Sequence, residues 1–288
     1  MKKCAAVLLI MMAFTAVITS CFAEVLMPQR GNKIKKSGSL TIDCSNCSEG
    51  YVMVKAKPTK NKLRLRVVHD KMDIHYDLNS DGEYEVIPLQ DGNGKYVFTL
   101  YIQVKSIEYE KLNTISMTVN MPDPDRCFLY PNQYINYTPD TPAVIRAREV
   151  CEGLTDPVAK AHAIYRDIFV EEALEDAEDL GHPQPQTETT FVEAVKFKYR
   201  QIDPYQYPNI DKAFETRTGS CKDQSGLYVA MLRSVGVPAM YAVTDGEPGH
   251  AWVVFIIDGK KYEIDPILQV PFCLIPADVN MDCVTRIY

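Results

Sequence analysis

One cysteine in this 288-residue chain stands where a thiol can act as a nucleophile. Thr218-Gly219-Ser220-Cys221 leads into Lys222-Asp223-Gln224-Ser225-Gly226-Leu227. Leu227, Ala230, Met231 and Val235 then fall on one helical face, ahead of Gly236 and Pro238. The spacing predicts a helix that begins at Cys221 or one residue after it. Free N–H groups and the macrodipole at that end favour an anion, so they stabilise a thiolate. In acyl transfer the same N–H groups can stabilise a developing oxyanion. A thiol nucleophile needs a base within hydrogen-bond reach. Of the five histidines, His69 and His75 fall in strand-patterned sequence, His162 on a helical stretch and His182 in a Gly-His-Pro loop. His250 opens the apolar run Ala251-Trp252-Val253-Val254-Phe255, and a histidine at the mouth of a central strand can face a cleft. Asp258-Gly259 then reads as a hairpin turn. Lys260–Ile264 returns antiparallel and delivers Asp265-Pro266 to the edge that His250 left. An Asp there can accept the imidazole N–H, fixing the tautomer and raising basicity. Taken singly, each residue has a plainer reading: a histidine is more often structural, and Asp-Pro is a turn. Trp252 reads as packing.

These residues need a helix and an antiparallel sheet to hold them, and the pattern before them is of another kind. From Ser39 to Met121 the apolar residues alternate, in the sets Leu40/Ile42, Tyr51/Met53, Leu63/Leu65/Val67, Val97/Thr99/Tyr101 and Ile115/Met117/Val119. Asp81-Gly82 and Asp91-Gly92 between the runs are hairpin signals. Six to eight short strands and no helix are expected, a β-sandwich of immunoglobulin size. Residues 24–38, polar and carrying Lys33, Lys35 and Lys36, read as a linker. Five prolines between Pro122 and Pro142 mark a domain junction. Asp156 is then a good N-cap and Pro157 suits the first helical position. Val158, Ala161, Ile164, Tyr165, Ile168 and Phe169 carry helical periodicity into an acidic run that Gly181 and Pro183 end. Phe191–Tyr199 reads as helix rather than strand.

Two further motifs have bland readings. Asp77-x-Asn79-x-Asp81-Gly82 copies half of a calcium loop, but Pro88 stands where the closing Glu belongs and the flanks are strands, which leaves a hairpin turn. Cys44-x-x-Cys47 lacks both a second such pair for zinc and a following helix, which leaves a strand-edge disulfide or two idle thiols.

Lys2 and Lys3, the apolar stretch 5–18 and the small residues before Glu24 read as a secretory signal spanning 1–23. A second reading takes Ile18-Thr19-Ser20-Cys21 as a lipoprotein box, with Cys21 lipidated. Either puts the mature chain outside the cytoplasm, where disulfides can form. Of nine cysteines, Cys4 and Cys21 belong to this leader. With Cys221 set aside as nucleophile, the remaining six can pair or stay reduced. The formal net charge of −7 argues against a broad phosphate-binding surface, so nucleic acid is not an expected partner.

Gly-x-Cys followed by Asp, a helix ending Ala-Met-Leu-Arg-Ser-x-Gly-x-Pro, then His-Ala-Trp and Asp-Pro resembles the transglutaminase-like superfamily. The likeness runs from about residue 140 to 275 and is densest from Tyr207 to Pro266. It implies a papain-like α+β core in which one helix carries the nucleophile against an antiparallel sheet. It also implies that Cys221 is the nucleophile, His250 the general base and acid, and Asp265 the orienting acid. Protein or peptide amides are the implied substrates, through a thioester resolved by water or by an amine. The acidic calcium loops of the animal enzymes are missing, so neither a metal nor a cofactor is implied. The resulting expectation is an N-terminal all-β immunoglobulin-like sandwich at 39–122 followed by a catalytic domain at 123–288. The alternative is a surface binding or scaffold protein that uses the sandwich.

Overall fold

The computed structural model describes residues 24–70, 72–171, 194–195, 198–199, 207–244, 249–266, 275–276 and 286–287. The leader 1–23, with Cys21, lies outside the described residues, as do His182, Cys273 and Cys283. No helix among the described residues is long and apolar enough to cross a membrane.

Eight strands form the N-terminal region: β1 (Ile34–Ser37), β2 (Leu40–Asp43), β3 (Tyr51–Ala56), β4 (Leu63–His69), β5 (Met72–Leu78), β6 (Glu85–Pro88), β7 (Gly94–Lys105) and β8 (Glu108–Val119). They make two antiparallel sheets, ordered β1-β2-β3-β6 and β5-β4-β7-β8. On β4 and β5 the alternation is strict. Leu63, Leu65, Val67, Ile74, Tyr76 and Leu78 are buried. The outward residues Arg64 and Arg66 pair with Asp77 and Asp73 across the strands. Such exposed pairs contribute little stability, so the buried face sets the register.

Three expectations change here. Residues 24–38 are not a linker throughout: Ile34–Ser37 is the edge strand β1, and Val25 is buried. The lysines of this segment sit on an exposed edge, where charge discourages pairing with another chain. Asp81-Gly82 and Asp91-Gly92 do not close hairpins. They join β5 to β6 and β6 to β7, and each step crosses between the sheets. In the first connection Asp81 accepts the Glu83 N–H while the Asp77 carboxylate holds Arg64, so the calcium-like loop is an inter-sheet turn. The strand phase also differs on β3 and β7. Val52, Val54 and Ala56 are buried rather than the Tyr51/Met53 set alone, and Tyr96, Phe98 and Leu100 lie deeper than Val97 and Tyr101.

The C-terminal region holds α1 (Pro142–Val150), α2 (Pro157–Phe169), α3 (Ile210–Thr216) and α4 (Cys221–Ser234). Asp156 caps α2 by accepting the Ala159 N–H. Residues expected as helix at 191–199 instead supply short strands. β9 (Val170–Glu171) pairs with β10 (Ala194–Val195), and β11 (Lys198–Tyr199) runs parallel to β12 (Thr218–Gly219). The main sheet contains β13 (Ala239–Val243), β14 (Ala251–Ile257), β15 (Lys260–Ile264), β16 (Ile275–Pro276) and β17 (Arg286–Ile287), all antiparallel, in the order β16-β15-β14-β13-β17. Asp258 and Gly259 close the β14–β15 hairpin with φ of 50° and 71°. Both are positive, as a turn that matches the strand twist requires.

α4 is the axis of this region. It packs on β13 and β14 and is covered by α1, α2 and α3. Burial therefore extends all round it rather than along one apolar face. Its buried polar groups must find partners inside the protein. Arg233 donates to the carbonyls of Tyr130 and Ala239, Ser234 to Met231, and Gln224 to Gly219.

Candidate active site

Cys221 is the first residue of α4, and Ser220 is its N-cap. Asp223, at the third helical position and almost fully buried, accepts from the Ser220 N–H, the Ser220 hydroxyl and the Asn209 N–H. That ties the first turn of α4 to the segment before α3. Gly219 makes the arrangement possible, because a Cβ there would lie 2.6 Å from the Cβ of Asp223. Gly219→Ala is accordingly expected to cost about 1–3 kcal/mol by overpacking and to displace Cys221. Urea denaturation with a parallel thiol-labelling rate checks it, and a variant matching the native protein in both would refute it.

His250 precedes β14 and is held through its backbone. Its N–H donates to the Thr244 hydroxyl at 3.0 Å, and its carbonyl accepts the Thr244 N–H at 2.9 Å. Imidazole Nε2 faces the Asp265 carboxylate in a hydrogen bond. Asp265 follows β15 directly, so the β14–β15 hairpin brings the pair together. The Cys221 thiol hydrogen-bonds to the same imidazole. With Nε2 engaged by Asp265, Nδ1 is the ring nitrogen left for the thiol. Three residues from three separate stretches of chain thus form one line: thiol, imidazole, carboxylate.

The electrostatics follow from those contacts. Burial opposes the Cys221 thiolate, but hydrogen bonding from His250 and from the Ala251 and Lys222 N–H groups outweighs it, and the thiol is held below its usual value. Asp265, followed by Cys221, pushes His250 up to about 10. The two shifts are coupled through one hydrogen bond, which favours the charged form of each partner. Cys47 and Cys151 move the other way, burial pushing them up to about 12 and about 11. Burial raises Cys127 further still. None of the five described cysteines is in a disulfide, Cys44 and Cys47 included.

The other histidines are elsewhere. His69 is buried between the carbonyls of Lys95 and Asp91 and stacks on Tyr96, while His75 lies on β5 and His162 on α2. Trp252 stacks at 20° to the His250 ring with centroids 6.0 Å apart, and its buried indole N–H has no hydrogen-bond partner among the described residues. The ring also packs with Phe128 and Met240. Among the described residues no group of three or more His, Cys, Asp or Glu side chains could hold a metal ion. A cavity of about 730 Å³ lined by Val25, Met27, Glu49, Tyr51, Arg126 and Tyr130 contains none of the three central residues.

Asp223 enters the sequence reading only through the family motif, and Thr244 carries no role in it. Ser220-x-x-Asp223 was readable as a capping box, since N-cap and third-position residues of those types serve the first turn of a helix. Thr244 offers no such local signal.

No curated protein matches the chain. Solved structures similar to it include the periplasmic domain of TgpA from Pseudomonas aeruginosa, at 15% identity and a TM-score of 0.34 over 84% of this chain and 78% of that one. Another is a candidate cysteine protease from Cytophaga hutchinsonii, at 13% identity and a TM-score of 0.39 over 84% and 71%. The family model described as the transglutaminase-like superfamily matches residues 146–266, a stretch that includes Cys221, His250 and Asp265. Over residues 146–266, the stretch that carries the thiol, imidazole and carboxylate, the chain is similar to the transglutaminase-like superfamily.

Proposed function

We propose that the protein is an exported thiol enzyme acting on amides of proteins or peptides. The observation that carries this is the line of hydrogen bonds from the Cys221 thiol through the His250 imidazole to Asp265 at the N-terminus of α4. The Cys221 thiolate adds to the amide carbonyl carbon, forming a C–S bond, and the negative charge moves to the carbonyl oxygen. N–H groups at the start of α4 stabilise that oxygen. His250 gives its proton to the amide nitrogen, the C–N bond breaks, and the amine leaves a thioester behind. Water or a second amine, deprotonated by His250, then attacks the thioester and releases Cys221. Water yields hydrolysis or deamidation, and a lysine amine yields an isopeptide bond. Asp265 orients the imidazole and stabilises its protonated form. Trp252 covers one face of that ring.

Export is proposed on the charged, apolar and small residues of 1–23. The two N-terminal sheets, which bury a common apolar core, support an immunoglobulin-like sandwich. The deciding experiment incubates the protein with casein and a labelled primary amine and reads the products by mass spectrometry. Cleaved or deamidated peptides indicate hydrolysis, and amine incorporation indicates transfer. No product from several proteins and peptides, despite a reactive Cys221, would favour a binding role instead.

A further inference from the structure

The two halves of the site meet at the backbone of Ala251, the residue after His250. Ala251 is fully buried, and its carbonyl accepts the Ser225 hydroxyl at 3.1 Å. Its N–H reaches the Cys221 thiol. Cys221 and Ser225 are four residues apart, so they lie one above the other on a single face of α4. One residue of β14 is thus fastened to α4 at two points one helical turn apart.

The sheet explains why a helix side chain is needed there. The β14–β15 register pairs Val253 with Ile264. Continued by two residues, it sets Ala251 opposite Pro266, which has no N–H to give. A buried carbonyl must still be satisfied, and Ser225, itself fully buried, supplies the donor. On its other side His250 is held by Thr244. We infer that Ser225 is a positioning residue for the reaction: its hydroxyl locks α4 onto β14 at Ala251 and so sets the separation of Cys221 and His250. The Ser225 hydroxyl is spent on the Ala251 carbonyl, not on the thiol or the imidazole. It acts through Ala251. This inference rests on the assignment of Cys221 and His250 as the reacting pair.

The test uses the full-length protein and iodoacetamide. The second-order labelling rate of Cys221 is followed by mass spectrometry across pH in the native protein, Ser225→Ala, Ser225→Thr and Cys221→Ala, with the melting temperature of each. Ser225→Ala is expected to label Cys221 about tenfold more slowly near neutral pH, a fraction of what a 1 Å misplacement costs a catalytic geometry. The acid limb of its profile is expected to move to higher pH. Ser225→Thr keeps the hydroxyl and restores the limb. A Ser225→Ala protein that melts lower but keeps the native profile overturns the inference, because only packing was lost. A Thr variant that tracks the Ala variant also overturns it. If instead Cys221→Ala labels as fast as the native protein, the nucleophile assignment beneath the inference fails, whatever the Ser225 variants do.

Discussion

Cys221→Ala abolishes fast alkylation by iodoacetamide at neutral pH and lowers turnover of any susceptible protein by about 10⁶-fold, the scale seen when the nucleophile of a catalytic triad is removed. Alkylation requires thiolate. Burial alone would suppress it, as it does at Cys47, Cys127 and Cys151. At Cys221 the imidazole and two backbone N–H groups reverse that effect. The substitution removes one sulfur from a site with neighbours on every side, so folding should survive, which circular dichroism verifies. Mass spectrometry of tryptic peptides then locates the label. A fast-reacting thiol that persists in Cys221→Ala would refute the assignment.

Asp265→Asn separates the orienting role from mere packing. The carboxylate is the largest influence raising His250 from its ordinary 6.5 to about 10. In the native protein the imidazolium persists until the pH approaches that value, so activity should form a plateau. Its acid side follows formation of the Cys221 thiolate, and its alkaline side follows loss of the His250 proton near pH 10. With Asn at 265 the alkaline limb moves to lower pH, and turnover falls by about 10²–10⁴, because the amide can also hold the wrong tautomer. The thiolate loses part of its cationic partner, so the acid limb rises and the plateau narrows from both ends. Stability is linked with the same sign: the His250 contribution is full below 6.5 and is lost as pH rises through about 10. A pH–rate profile with both limbs unmoved would show that Asp265 only fills space.

Much of this site was open to sequence reading because its signals are local. The helix at Cys221 is announced by a cap, a periodic face and a Gly/Pro stop. The Asp258-Gly259 turn fixes how far β15 must return, which places Asp265 near His250 without knowledge of any other contact. The missed helices show the opposite case. α1 begins at Pro142, inside a proline-rich stretch that reads as a junction, although proline is well suited to a first turn. α3 is short and lies just after Pro208, with little room for periodicity to show.

The available chemistry is legible residue by residue: a thiol at a helix start, a histidine at a strand mouth and an acid one hairpin away, with a strand-rich region before them. Local rules suffice for those features because each depends on residues within one or two turns of chain. Phase and partnership came from the packing of separate segments against one another. On β3 and β7 apolar residues occupy both parities, so alternation cannot say which set faces inward, and the facing sheet makes the choice. Asp81-Gly82 and Asp91-Gly92 turn the chain wherever they stand, but whether the next strand joins the same sheet depends on which face remains to be covered. Ser225 and Thr244 become part of the site only when α4 is laid against β14 and the residue after β13 closes on His250. The Ser225 contact joins residues 26 apart in the chain, and it forms only in an interior that no single segment can provide.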